Sequence, residues 1–180
     1  QQVTDIFAEC SIDYDKNKIY MEYTYSPRHR YRVRFNTPHA DTKHQRKIYG
    51  KALTIFYKFL DKIIPSKKHC IFGSQWFSIS SHHLQILMNN ITPEFKNNYR
   101  YKLCPDEHFF QELVKISKLE HYLSDNKRYI VFSSSYQHGS SPIFLNLETL
   151  NTQINSDKWF ARKVETRVID EFLKKTEING

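Results

Sequence analysis

The sequence predicts a mixed α/β fold in one domain over residues 1–180. Three observations predict it. Runs of β-forming residues occur at 19–25 and 128–132. Apolar residues recur at three- and four-residue steps across 44–63 and again after Pro105, the helical period. Aromatic residues at 15% and apolar residues at 39% supply the material of a core. In chain order, residues 5–14 read as a strand running into Asp13-Tyr14-Asp15. Residues 16–18 make a turn, and 19–25 form a second strand. Beyond Ser26-Pro27, Arg28, Arg30, Arg32 and Arg34 alternate with His29, Tyr31, Val33 and Phe35, a period of two that predicts a strand with one basic face. Residues 37–41 are a break. Ile48, Ala52, Ile55, Phe56, Phe59, Leu60 and Ile63 mark the apolar side of the 44–63 helix, which Pro65 ends. Ser80 or Ser81 caps a helix reaching about residue 90, and Thr92-Pro93-Glu94 starts a short one. Pro105-Asp106-Glu107 opens a stronger helix with Phe109, Phe110, Leu113, Val114 and Ile116 on its apolar side. A strand at 128–132, a Ser-rich loop at 133–142, and helices at 148–155 and 165–175 complete the chain.

Charge and composition narrow the function classes. Lys and Arg number 27 against 19 Asp and Glu, a net charge of +8. Such a chain attracts nucleic acid, anionic lipid or phosphorylated substrates. Only 4 Gly and 6 Pro occur, which excludes collagen-like and linker classes. No run of roughly 18 apolar residues is present to span a bilayer. The 3 Cys lack CxxC or CxxH spacing and are too few for a disulfide framework, so reduced thiols are expected. The chain opens Gln1-Gln2-Val3-Thr4 with no signal-peptide pattern, so a piece of a longer protein is expected.

Several segments carry residue types suited to chemistry. Asp13-Tyr14-Asp15 offers two hard carboxylates for Mg²⁺ or Mn²⁺, but it runs into Lys16-Asn17-Lys18 and fits a turn. Pro105-Asp106-Glu107 places acidic side chains at a helix start, either as plain dipole complements or as a general base. His138-Gly139-Ser140-Ser141-Pro142 can present amides and hydroxyls to a phosphate, or is an ordinary turn. The Arg162-Lys163 pair in Phe160-Ala161-Arg162-Lys163 can neutralise a diphosphate, or is a solvated pair. Gly73-Ser74-Gln75-Trp76-Phe77-Ser78 offers close backbone approach and an aromatic face for a sugar ring, or a core Trp. Neither a Walker A nor a GxGxxG motif occurs.

In order, Gly73-Ser74-Gln75-Trp76-Phe77-Ser78-Ile79-Ser80, Pro105-Asp106-Glu107-His108-Phe109-Phe110, Arg128-Tyr129-Ile130, Gly139-Ser140-Ser141-Pro142 and Phe160-Ala161-Arg162-Lys163 resemble glycosyltransferase family 14. This is the "branch" family of core-2/I-branching β-1,6-N-acetylglucosaminyltransferases, peptide xylosyltransferases and bacterial relatives. The resemblance implies a GT-A-like nucleotide-sugar transferase fold, a mixed sheet flanked by helices. It implies inverting, metal-independent transfer of GlcNAc or xylose from a UDP-sugar to a glycan hydroxyl, with no cofactor. It implies Glu107 as catalytic base, Lys163, Arg128, Ser140 and Ser141 at the diphosphate, and Trp76 and Gln75 on the acceptor side. Val164-Glu165 departs from the family's Phe-Asp, and Ile130-Val131-Phe132 from its Ile-Asp-Trp. The family's amino-terminal, uridine-binding part is expected to precede residue 1, so the chain reads as a carboxy-terminal, acceptor- and diphosphate-binding part.

Two other functions compete. A basic, non-enzymatic module would hold nucleic acid on the Arg28–Arg34 face, although the family resemblance gives no expectation of nucleic acid. A metal-dependent transferase would use Asp13 and Asp15. Composition suggests surface-polysaccharide synthesis in a bacterial cytoplasm, with the charge favouring peripheral contact at the inner membrane. The alternative is the Golgi lumen, where paired Cys would be expected.

Overall fold

The computed structural model describes residues 14–38, 42–43, 47–132, 142–153 and 156–178, with the backbone alone for 175–178. The secondary structure is mixed, as expected, and its strands are short. They are β1 (Ile19–Tyr20), β2 (Thr24–Tyr25), β3 (Ile71–Phe72), β4 (Ser78–Ile79), β5 (Leu123–Ser124), β6 (Arg128–Ile130) and β7 (Phe160–Arg162). The helices are α1 (Arg30–Arg34), α2 (Ile48–Ile63), α3 (Ser81–Asn89), α4 (Pro93–Tyr99), α5 (Phe109–Ile116), α6 (Leu147–Gln153) and α7 (Thr166–Ile178). Among the described residues the strands form three small sheets, ordered β4-β1-β5, β2-β3 and β6-β7. The chain divides into two compact units, Asp15–Asn126 and Gln1–Tyr14 with Lys127–Gly180.

In the Asp15–Asn126 unit, β1 runs antiparallel to β4, with Ile19 opposite Ile79, and parallel to β5, with Ile19 opposite Leu123. Its core gathers Ile19 and Met21 with Leu87 of α3, Phe95 of α4, Leu113 and Val114 of α5, and Leu119. Two helix starts follow the sequence. Ser80 Oγ accepts from His83 N at the start of α3, and Thr92 Oγ1 accepts from Phe95 N at the start of α4 with Pro93 behind it. Asp15 acts as a turn residue: its Oδ1 accepts from Asn17 N at 2.8 Å and its carbonyl from Lys18 N at 2.9 Å. Asp13 lies outside the described residues.

The structure corrects three expectations here. The 19–25 run is two short strands with different partners, β1 between β4 and β5 and β2 beside β3, and residues 21–23 between them belong to neither. The segment around Arg28–Arg34 is helical, a 3₁₀ turn at Pro27–His29 leading into α1. Arg30 and Arg34, one helical turn apart, both reach Asp61 of α2, at 3.0 and 3.2 Å. A strand would put Arg32 on that same face; in the helix it points elsewhere and pairs with Glu107. The basic strand face proposed for nucleic acid therefore does not form. Third, Pro105–Glu107 is a separate 3₁₀ turn, and α5 begins only at Phe109.

In the other unit β6 and β7 pair in parallel, with Arg128 opposite Phe160, Tyr129 opposite Ala161 and Ile130 opposite Arg162. The strand path continues as Phe132 bridges Pro142 and Leu145 bridges Val164. Leu145 and Leu150 are buried, and α6 packs on α7. Gly139, Ser140 and Ser141 lie outside the described residues.

Candidate functional site

Glu107 ends the 3₁₀ turn, and the chain on both sides of it is irregular. Cys104 sits in the left-handed region at φ 51°, and His108 has φ −140°. The turn closes on itself through Glu107 N donating to Cys104 O at 3.2 Å and His108 N donating to Pro105 O at 3.0 Å. It stays apart from α5 because the Glu107 carbonyl accepts from Gly73 N at 3.0 Å. That bond joins the Pro105-Asp106-Glu107 motif to the Gly73-Ser74-Gln75-Trp76 motif.

Gly73 is required at this junction. A Cβ there would lie 1.8 Å from the Glu22 carbonyl oxygen and 2.8 Å from Gln111 Nε2, closer than atoms can approach. The loop beyond it is held by its backbone. Ser74 N donates to Glu22 Oε2 at 3.0 Å, Gln111 Nε2 donates to Ser74 O at 3.2 Å, and Trp76 N donates to Ser74 Oγ at 3.1 Å. Gln75 and Trp76 are exposed, Trp76 at 45%, so this Trp does not fill the core.

The Glu107 carboxylate is half-buried and pairs through Oε2 with the Arg32 guanidinium. Arg32 is held in turn by α1, which Asp61 clamps through Arg30 and Arg34. Behind the turn, His108 is buried. Its Nδ1–H donates to Ile71 O at 2.9 Å, and burial lowers its pKa, keeping the ring neutral. Burial pushes the neighbouring Cys70 thiol up to about 12, which makes it an unreactive packing residue. The helix α5 lines two cavities. One, of about 370 Å³, has Lys67, Lys68, Lys102, Lys115 and Glu112 on its walls; the other, of about 410 Å³, has Asp106, Phe109 and Phe110. Glu107 itself lines neither.

The strand pair β6-β7 brings Arg128 and the Phe160-Ala161-Arg162-Lys163 motif together. The Arg128 guanidinium lies 5.0 Å from the centre of the Phe160 ring, and burial lowers its pKa. Lys163, just beyond β7, is exposed, and its Nζ stands 4.4 Å from the centre of the Phe144 ring. Its carbonyl accepts from Leu145 N at 2.7 Å, which ties the segment after the Ser-rich stretch to the Lys163 strand. Next to Arg128, Lys127 Nζ pairs with Asp157 at 2.9 Å.

Of the predicted site residues, Glu107, Gln75 and Trp76 lie in the Asp15–Asn126 unit, where the Gly73–Glu107 bond joins their two motifs, and Arg128 and Lys163 lie in the other, where the β6-β7 pairing joins theirs. Sequence reasoning missed Arg32 and Glu22. Arg32 was visible as a charge but not as the partner of a carboxylate 75 residues away. Among the described residues no group of three or more His, Cys, Asp or Glu is placed to hold a metal ion.

The Core-2/I-Branching enzyme family model matches residues 6–177. No curated protein and no solved structure matches the chain. A family match over nearly the whole length agrees with the five ordered motifs, two of which the structure joins at Gly73 and Glu107 and two at Arg128 and Phe160. The chain belongs to the Core-2/I-branching enzyme family of glycosyltransferases, which implies a nucleotide-sugar donor and a glycan acceptor.

Proposed function

We propose that the chain, over residues 1–180, is the acceptor- and diphosphate-binding part of a GT-A-like transferase that is inverting and metal-independent. The donor is a UDP-sugar, with GlcNAc or xylose as the sugar, and the acceptor is a glycan hydroxyl. The observation that carries this reading is the junction of Gly73 N with the Glu107 carbonyl. It sets a half-buried carboxylate beside a loop whose Gln75 and Trp76 face solvent.

The chemistry assigned to these residues is balanced. Glu107 accepts the proton of the acceptor hydroxyl as its oxygen attacks the anomeric carbon of the sugar. The bond from that carbon to the diphosphate oxygen breaks with its electron pair on the diphosphate. Lys163 and Arg128 meet that developing negative charge, the role a divalent metal takes in other transferases. Arg32 holds the base in place, and Trp76 offers a ring face to the acceptor sugar.

Transfer from UDP-GlcNAc or UDP-xylose to an oligosaccharide, measured in excess EDTA on a protein that also carries the expected uridine-binding part, tests the reading. Turnover unchanged by the chelator is expected. Turnover abolished by EDTA and restored by Mg²⁺ or Mn²⁺ would overturn metal independence. Turnover retained in Glu107→Gln would overturn the base assignment.

A further inference from the structure

Helix α2 turns an apolar arc toward solvent. Ile48, Tyr49, Ile55, Phe56, Phe59 and Ile63 are each half-exposed or more, with Ile48 at 88% and Ile55 at 66%. With 3.6 residues per turn these six, together with Ala52, fall in one arc about 120° wide. Lys51, Lys58 and Lys62 form a row along one edge of that arc. The helix is seated through its other side, where Gly50 and Asp61 are buried and Asp61 is clamped by Arg30 and Arg34. The arc is therefore surplus to folding, and apolar patches of this kind mark an interaction surface.

Charge identifies the partner. Asp61 is the only carboxylate in Ile48–Ile63, and it is buried, so the only charged groups on the exposed surface of α2 are lysines. Lys67 and Lys68 follow it and are also exposed. A basic edge beside an apolar stripe matches anionic lipid, where the lysine stems lie along the apolar stripe and their ammonium groups reach the headgroups. The helix is too short to cross: among the described residues none is long and apolar enough to span a membrane.

We propose that α2 docks the protein on an anionic membrane surface, its apolar arc at the acyl boundary and its lysine row against headgroup phosphates. The proposal is independent of the transferase chemistry. Because Asp61 ties α2 to α1, and α1 carries the Arg32 that holds Glu107, docking would fix the height of the Glu107 turn above the lipid.

Co-sedimentation of the 180-residue chain tests this, with vesicles of phosphatidylcholine alone and of phosphatidylcholine mixed with phosphatidylglycerol. Binding is expected to the mixed vesicles and to weaken with salt. Phe59→Asp should lower the partition at least roughly tenfold, from the apolar area it withdraws. Lys51→Glu combined with Lys62→Glu should lower it about fivefold or more per site. Both variants alter exposed side chains, and an unchanged thermal midpoint would show that they fold. A chain that stays in the supernatant, or a Phe59→Asp variant that binds as well as the parent, would overturn the proposal. So would a parent that forms dimers in sedimentation velocity, loses them in Phe59→Asp and binds no vesicles; that result would assign the arc to a second copy of the chain.

Discussion

The two units hold their functional candidates in contrasting ways. In Asp15–Asn126, Glu107 is fixed by backbone and side chain together: Gly73 takes its carbonyl, the 3₁₀ turn takes its amide, and Arg32 takes its carboxylate. In the other unit, Arg128 and Lys163 rest over the Phe160 and Phe144 rings, and Lys163 is exposed. The difference suits the proposed roles. A general base works only within hydrogen-bond reach of its proton, so its position has to be set. A cation that meets a leaving diphosphate acts as a charge, and the ring face under Lys163 supports it without neutralising it.

This contrast makes predictions of graded size. Glu107→Gln should lower transfer by about 10²–10⁴-fold, the usual worth of a positioned base, with the unfolding midpoint little changed. A large drop in that midpoint would show that the carboxylate is structural instead. Lys163→Ala should lower transfer by about 10²–10³-fold, the typical effect of removing one preorganised charge or donor. Because Lys163 is exposed, denaturant unfolding should not detect the change. Gly73→Ala should behave in the opposite way. The added Cβ meets the Glu22 carbonyl, and overpacking of this kind costs about 1–3 kcal/mol or more in stability. A Gly73→Ala protein as stable as the parent would mean that the two motifs are not joined as described.

The remaining expected effect is on pH dependence. His29 stacks on Phe72 with ring centres 4.3 Å apart, its Nδ1 shares a 2.7 Å hydrogen bond with Ser26 Oγ, and burial lowers its pKa to about 4. The unfolded chain, with an ordinary histidine near 6.5, then binds more protons than the folded one between about pH 4 and 6.5. The stability His29 contributes is complete above that window and is lost as pH falls through it. Thermal midpoints measured across the window should decline on acidification, and His29→Phe should flatten the decline. An unchanged slope would contradict the assignment to His29.

Much of this arrangement was legible in the sequence where local chemistry decides it. Ser80 and Thr92 cap the helices they precede, Asp15 makes its turn, and the three- and four-residue period marks α2. The Arg28–Arg34 segment was misread because its alternation of charge is local, whereas Asp61, a distant carboxylate, is reached by Arg30 and Arg34 together from one face of a helix. The Pro105 turn was misread for a related reason. Its residues suit the first turn of an α-helix, but the Glu107 carbonyl is engaged by Gly73 from another segment. The period of α2 was also read correctly as amphipathic, yet periodicity cannot say that the apolar side faces solvent rather than a core.

The most direct test of the division between the two units is a thermal-shift titration with UDP in EDTA on the parent chain, Lys163→Ala and Glu107→Gln. A ligand that binds the native state must raise the midpoint. The account predicts a shift in the parent and in Glu107→Gln that disappears in Lys163→Ala. A shift that survives in Lys163→Ala, or no shift in the parent, would contradict it.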